Sequence, residues 1–427
     1  MMKRVIAILA VSAIVTTAVY AQAAVAGTVE TRFSVLRGNL SDSDDNLYMG
    51  GFAGGAGAGS IGAAWLQLSG TNADGTLGGL WRFRNTDTVR GTDGWFHRAF
   101  VWWRPVDVFR LWLGVDQDGM FDTAHFAGWG FHQGDNDYMF NHHWDFWRRI
   151  FPGNWDSFGV ALSFMNIVDG LNVNLVLPTG QRNWPQATSA GVTRPITVQQ
   201  MLAGFRLHST FAIPGTGTLQ FVYNAPGGIM NIDAGNLNQH QPEWGGEGEL
   251  EPNNFGQLGL SFLLTALDFG NILFGGAMII PDEVHDLDLH LGAALDIPSA
   301  TLGDLFALRF RLGAHVLNRN PAIDDGFLTT NIMPIFALGP GSLMLDLSMS
   351  MALPDGDFDA EQHLGWSIKP VYRLPLASGA FSIGLHIHSG LHERGGVARG
   401  ALDGNQGLGP GNNDILIHIP MLLRFSF

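Results

Sequence analysis

The 427-residue sequence contains no cysteine. That excludes a disulfide framework, a thiolate nucleophile and any cysteine-based metal site. Charge is also scarce, at 14% Asp, Glu, Lys and Arg, against about 25% in an ordinary soluble chain. After residue 26 there is no continuous apolar run of the roughly 20 residues that a membrane-spanning helix needs. Basic residues are few, with 23 Lys and Arg against 38 Asp and Glu, and such an acidic balance argues against nucleic acid as a partner. No G-x-S-x-G element is present, and no cofactor or enzymatic reaction is indicated. What the chain has in excess is glycine (57) and tryptophan (13). Low charge with abundant aromatics suits a surface facing lipid better than one facing water.

The first residues read as a secretory signal. Lys3 and Arg4 form a basic start, Val5–Val19 an apolar stretch, and Ala21, Ala23, Ala24 and Ala26 a small-residue zone. Ala21-Gln22-Ala23 and Ala24-Val25-Ala26 both have the A-x-A form, so the cut is expected between residues 21 and 26. Removing Lys3 and Arg4 from the 23 cations, against 38 acids, leaves a mature charge of −17. The expected organisation is a signal over residues 1–26 and one body over 27–427.

Within that body the dominant signal is alternation. Leu287, Leu289, Leu291, Ala293 and Leu295 alternate with Asp286, Asp288, His290 and Gly292. Phe306, Leu308, Phe310 and Leu312 alternate with Arg309 and Arg311. Phe109, Leu111, Leu113 and Val115 alternate with Arg110 and Gly114. A strand sends successive side chains to opposite faces, so each segment has one apolar and one polar face. Between the segments, short connections rich in Gly, Pro, Asp and Asn alternate with long ones, the longest being Asp116–Asp156. Counting between them predicts 18 strands, or 16 if the Gly-rich 50–62 run is a loop or a small plug.

The last stretch, Asn413–Phe427, puts Ile415, Ile417, Ile419, Met421, Leu423, Phe425 and Phe427 on one face. A chain with this closing strand, with short turns on one rim and long loops on the other, resembles the porin-like outer-membrane β-barrels of bacteria. The resemblance implies an all-β fold: a single transmembrane antiparallel barrel with short periplasmic turns and long extracellular loops. It implies lipid as surroundings and a terminal aromatic strand read by the barrel-assembly machinery. Trp102, Trp103, Phe262, Phe425 and Phe427 would form a periplasmic aromatic girdle. Closure requires Ile415–Phe427 to pair with the first strand near Val29–Val35. The blocks Ala99–Asp107, Phe146–Asp156 and Gly170–Gly180 also look like those of uncharacterised spirochaete (Treponema-like) outer-membrane proteins. That likeness speaks to location and assigns no functional residue.

In such a barrel the polar faces line a lumen. The expected lining includes Arg82, Arg84, Arg98, Arg110, Arg206, Asp286, Asp288, His290, Arg309, Arg311, Asp346, Arg373, His386 and His388. The long 116–156 connection combines His132, His142, His143, Trp144, Arg148 and Arg149. Aromatics at that density pack against something, and the alternatives are a constriction folded into the pore or a compact cap. Gly57-Ala-Gly-Ser-Ile-Gly62 matches a dinucleotide-binding glycine pattern without its strand–turn–helix context. His386-x-His388 sets two imidazoles on one face without an assured third ligand, so no metal site is assigned. Asp116-x-Asp118-Gly119 and Asp355-Gly-Asp357-x-Asp359 do not complete a calcium loop.

The expected function is a porin-like channel for passive diffusion of small hydrophilic solutes or ions, as a possible homo-oligomer. The alternatives are a transport barrel for hydrophobic substrates and a surface adhesin or structural envelope protein.

Overall fold

The computed structural model describes residues 22–41, 47–49, 62–85, 95–116, 157–178, 180–181, 194–195, 198, 202, 205–225, 256–280, 288–317, 327–352, 357–389 and 414–427. These residues form strands β1 (Gln22–Asn39), β2 (Gly62–Thr71), β3 (Leu77–Asn85), β4 (Trp95–Val106), β5 (Phe109–Asp116) and β6 (Ser157–Phe164). Next come β7 (Leu171–Pro178), β8 (Arg206–Ile213), β9 (Gly217–Asn224), β10 (Gly256–Leu264), β11 (Asn271–Ile280) and β12 (Asp288–Ile297). The last six are β13 (Phe306–Leu317), β14 (Phe327–Leu338), β15 (Gly341–Ala352), β16 (Leu364–Leu376), β17 (Gly379–Gly384, continued by His386–Ser389) and β18 (Ile415–Ser426).

The main sheet has 20 segments. Leu47–Met49 is a short addition beside the end of β1, and β17 counts twice, which leaves 18 strands, the upper expectation. Every strand is antiparallel to its neighbours in sequence, and the ring closes. β18 pairs with β1 from Thr28↔Ser426 to Asn39↔Leu416, with one bulge between Ser34 and Leu36. The expected contact at Val29–Val35 is therefore present. Closure matters because it leaves the ring of 18 strands without a free edge, the condition for a sheet to stand in hydrocarbon.

Connections on one rim run from two residues (107–108, 339–340, 377–378) to eight (298–305). Those on the other rim run from seven (281–287) to forty (117–156). The rim asymmetry read from the sequence is thus the asymmetry of the barrel.

The two faces of the wall are inverted relative to a water-soluble protein. Leu260, Phe274, Leu291, Leu312, Ile332 and Ile383 are exposed on the outside. Ser163, Asn174, Gln220, Ser261, Asn331, Asp346, Ser367 and Ser382 are buried on the inside. In water each exposed Leu, Ile or Phe would forgo about 1.5–3 kcal/mol of burial; in lipid it forgoes nothing. Near the short-turn rim three outward pairs of phenylalanines meet across strands: Phe109–Phe164, Phe262–Phe274 and Phe306–Phe336, with centroids 5.5, 5.4 and 5.1 Å apart. With Trp103, Phe425 and Phe427, all exposed, they make the aromatic belt that anchors a barrel at an interface. Trp102 does not join it. It points inward, under Arg110, because its neighbour Trp103 takes the outward position and strand faces alternate.

Candidate functional site: the inward face of the barrel

Two arcs of the inward face hold most of its buried polar groups. The first spans β2 to β10. Arg82 on β3 donates from Nε and Nη2 to Gln67 Oε1 on β2, at 2.9 and 2.7 Å. The Arg110 guanidinium lies 4.4 Å from the Trp102 ring centre and 5.1 Å from that of Trp112. Phe100 meets Trp112 edge-on at 5.2 Å. Gly114, opposite Phe100, lets the two backbones approach closely. Gly114 has φ +142, and a Cβ there would lie 2.2 Å from Ala99 O. Trp112 Nε1 donates to Ser163 Oγ at 2.8 Å.

Further round this arc, His208 is held between two amides. Asn174 Nδ2 is 3.2 Å from Nδ1 and Gln220 Nε2 is 2.8 Å from Nε2. A neutral imidazole has one acceptor nitrogen, so one of the two amides must turn its oxygen to the ring.

The second arc runs from β12 round to β1, and register puts several of its ionisable residues on one row. Asp296 stands opposite Arg309, with Arg309 Nε 3.3 Å from Asp296 Oδ1. Arg309 stands opposite Met333. Asp346 on β15 is opposite Lys369 on β16. Lys369 falls opposite His386, between the pairs Ser367↔His388 and Val371↔Gly384. His386 is opposite His418, and His418 is opposite Arg37. Strands tilt in a barrel, so a row that follows the ladder climbs the wall. This one rises from Asp296, beside the 298–305 turn, to Arg37, two residues from the other end of β1.

Midway along the row the polar groups are tightly knit. Asn331 Nδ2 donates to Asp346 Oδ1 and, at 2.9 Å, to Ser348 Oγ, while Ser348 Oγ donates to Asp346 Oδ1 at 2.6 Å. Asp346 is 0% exposed, Lys369 4%, and His386 and His388 6% each. The rings of His386 and His418 meet edge-on, 5.6 Å apart at 89°. Towards the short-turn rim Met333, Met344, Val371 and Leu422 form a wholly buried apolar cluster, with Ile335 against it. No alternation pattern in the sequence marks these inward apolar residues.

Other expected lining residues are placed by strand position. Arg84 is opposite Trp65 and Trp95, and Arg98 is opposite Arg82 and Asp116. Arg206 is opposite Val176 and Asn224. Asp288 and His290 open β12, and Arg311 lies between Ala294 and Asn331. Arg373 lies between Ser342 and Ser382. Asp286 and the 117–156 group of His132, His142, His143, Trp144, Arg148 and Arg149 lie outside the described residues. Among the described residues no group of three His, Asp or Glu is arranged to hold a metal ion.

No family model and no curated protein sequence matches the chain. Several solved bacterial porin structures are similar over almost their whole length. One is a mutant of the Rh. blastica porin, at 12% identity and TM-score 0.40, over 95% of this chain and 100% of that one. Another is Acinetobacter baumannii OccAB4, at 6% and 0.48, over 95% and 98%. A third is Pseudomonas aeruginosa OccK11 (OpdR), at 9% and 0.48, over 95% and 96%. None of the three is a spirochaete protein. All of these scores lie below 0.5, so the fold rests on the closed pairing ring.

Proposed function

We propose that the chain is a porin-like channel of an outer membrane, through which small hydrophilic solutes and ions diffuse passively. One observation carries this reading: a closed ring of 18 strands is apolar outside and ionisable inside. Rings of about 16–18 strands are wide enough for an aqueous lumen. Arginines and acids set on such a wall bias which ions pass. The N-terminal signal would deliver the chain to export, and the β18 strand would present it to the barrel-assembly machinery. The long 117–156 connection, with its histidines, tryptophans and arginines, would narrow the passage.

Planar-bilayer recording of the purified protein tests the reading. Stable ohmic steps are expected, and a variant lacking most of residues 117–156 should conduct more. Electrical silence of both proteins contradicts the channel; equal conductance contradicts the constriction.

A second reading draws on the inward cluster of Met333, Met344, Val371 and Leu422. An apolar patch inside a barrel suits carriage of a hydrophobic substrate. On that reading the purified protein is electrically silent but speeds transfer of a fluorescent long-chain probe into lipid vesicles.

A further inference from the structure

The short turns carry more than turning requires, and all of them lie among the described residues. Segments 72–76, 107–108, 165–170, 214–216, 265–270, 298–305, 339–340 and 377–378 join the strands on that rim. Gly170 and Gly303, at φ +81 and +103, reverse the chain in two of them. The turns also hold large apolar residues. Val108, Ile167, Val168, Phe269, Leu302 and Leu305 are exposed, Val168 at 62% and Leu305 at 70%. By chain position they lie past Phe109, Phe164, Phe274 and Phe306 of the aromatic belt, on its water side. The same turns carry five acids, Asp74, Asp107, Asp169, Asp268 and Asp304, and no Lys, Arg or His. Four of these acids adjoin an exposed apolar residue: Asp107-Val108, Val168-Asp169, Asp268-Phe269 and Asp304-Leu305. Arg104, beside the rim, pairs with Asp107 at 2.9 Å, and the Asp107 side chain is still 97% exposed.

We propose that this rim is a docking platform for a soluble protein that presents an apolar patch bordered by lysines and arginines. The inference goes beyond the channel reading and does not depend on it. Turning needs none of these six large apolar side chains, and apolar groups gathered beyond the lipid belt mark an interaction surface. Charge selects the occupant. A second copy docked rim to rim would set acid against acid, and anionic headgroups would be repelled in the same way. A basic partner is instead steered in. The platform is also preorganised, because backbone hydrogen bonds tie the turns to their neighbours round the rim. Arg104 N donates to Thr76 O at 2.6 Å, Met165 N to Val108 O at 2.9 Å and Ala212 N to Gly170 O at 2.9 Å. Thr265 N donates to Thr216 O at 2.9 Å, and Ala337 N to Leu305 O at 2.9 Å. A surface held in this way loses little freedom on binding, which favours the complex. Short turns face the periplasmic side of an outer-membrane barrel, so the partner is a protein of that compartment.

Photo-cross-linking in intact cells of the source organism tests this on the full-length barrel in its own membrane. Benzoylphenylalanine replaces Val168, Phe269 or Leu305, and the same replacement at Leu291 on the lipid-facing wall is the control. The three rim positions should give one common adduct that is absent at Leu291. Mass spectrometry of the cross-linked peptides should place the contact on an apolar, lysine- and arginine-bordered face of a soluble protein. The Asp107→Asn/Asp169→Asn/Asp268→Asn/Asp304→Asn variant should lower the adduct yield at least about tenfold, with heat-modifiable mobility showing that the barrel has formed. Irradiating membranes that keep all four acids in about 1 M salt should give the same loss without altering the chain, because screening then acts within about 3 Å. Adducts with lipid alone, adducts of twice the barrel mass from a second copy, or a partner with an acidic contact face overturn the platform. So do unrelated adducts at the three positions, no rim adduct at all, or a yield unmoved by neutralisation and salt.

Discussion

Gly27 and Phe427 clasp the barrel seam. Gly27 N donates to Phe427 O at 2.8 Å, and Phe427 N donates to Gly27 O at 2.9 Å. The Phe427 ring lies over Gly27 so closely that a Cβ there would come within 2.2 Å of it. A larger residue at position 27 must push the ring away or open the last pair of the β1–β18 ladder.

The Gly27→Val variant is therefore expected to close somewhat less well. The ring is the far end of a flexible and largely exposed side chain, so the cost falls below the about 1–3 kcal/mol of overpacking in a packed core. The folded fraction, read from the mobility of unheated samples on a gel, should fall. The ring is the obstacle, so Gly27→Val/Phe427→Ala should fold better than Gly27→Val alone. If the double variant folds worse, the clash is not what limits closure.

Substitutions on the outward face should be graded by depth. Leu291, in the fourth position of β12, is exposed mid-strand, while Leu338 ends β14 at the short-turn rim. A cation at mid-height of a lipid-facing strand costs about 2–4 kcal/mol, and one near the interface about 0–1. Leu291→Arg should thus destabilise strongly and Leu338→Arg weakly, in urea unfolding of the protein folded into lipid vesicles. Equal costs would mean that these faces do not meet a bilayer.

Much of this architecture was legible because period two needs only local information. The β5, β12 and β13 strands announce themselves by alternation, and glycine, proline and aspartate mark the short turns. The seam was legible because the last strand has one unbroken apolar face. Other features depend on phase or register, which the local pattern does not carry. The run Ile332-Met333-Pro334-Ile335-Phe336 is apolar on both faces, so nothing in it says that Met333 turns inward. Trp102 and Trp103 are chemically alike, and only the strand's phase separates lumen from girdle. That Asp296 would meet Arg309, or His386 meet His418, depends on ladder register set by turns many residues away. The 116–156 stretch has no periodicity at all, so its histidines and tryptophans could be read only as composition.

The turn at 72–76 carries a titratable contact outside the spanning strands. Asp74 Oδ1 accepts from the Thr76 hydroxyl at 2.8 Å and from the Thr76 N–H at 3.2 Å. These bonds, the hydroxyl first, hold the Asp74 carboxyl below its ordinary value of 3.8. A carboxylate whose folded value is depressed adds stability that is present above the unfolded value. That stability is lost as pH falls through the folded value. Thr76→Val should move the Asp74 midpoint up towards 3.8, as followed by the carboxyl carbon shift in NMR. A midpoint that does not move would show that the hydroxyl is not the dominant cause.

The facing pair Asp346 and Lys369 permits a sharper test of the inner wall. Both are buried, and register sets them opposite one another on β15 and β16. Asp346 also accepts from Asn331 and Ser348, so its removal disturbs three partners at once. Taking one member from a buried opposite-charge pair costs about 3–5 kcal/mol, because the other charge stays behind without compensation. Replacing both by apolar groups of similar size is often nearly neutral. Asp346→Leu and Lys369→Met should each destabilise markedly in urea unfolding, and the double variant should recover most of the Lys369 share. The part left unrecovered belongs to Asn331 and Ser348, whose polar groups lose their acceptor, at about 1–3 kcal/mol for a buried group left unsatisfied. Strictly additive costs would mean that the two charges do not interact across the ladder. In that case Lys369 draws its stability from elsewhere.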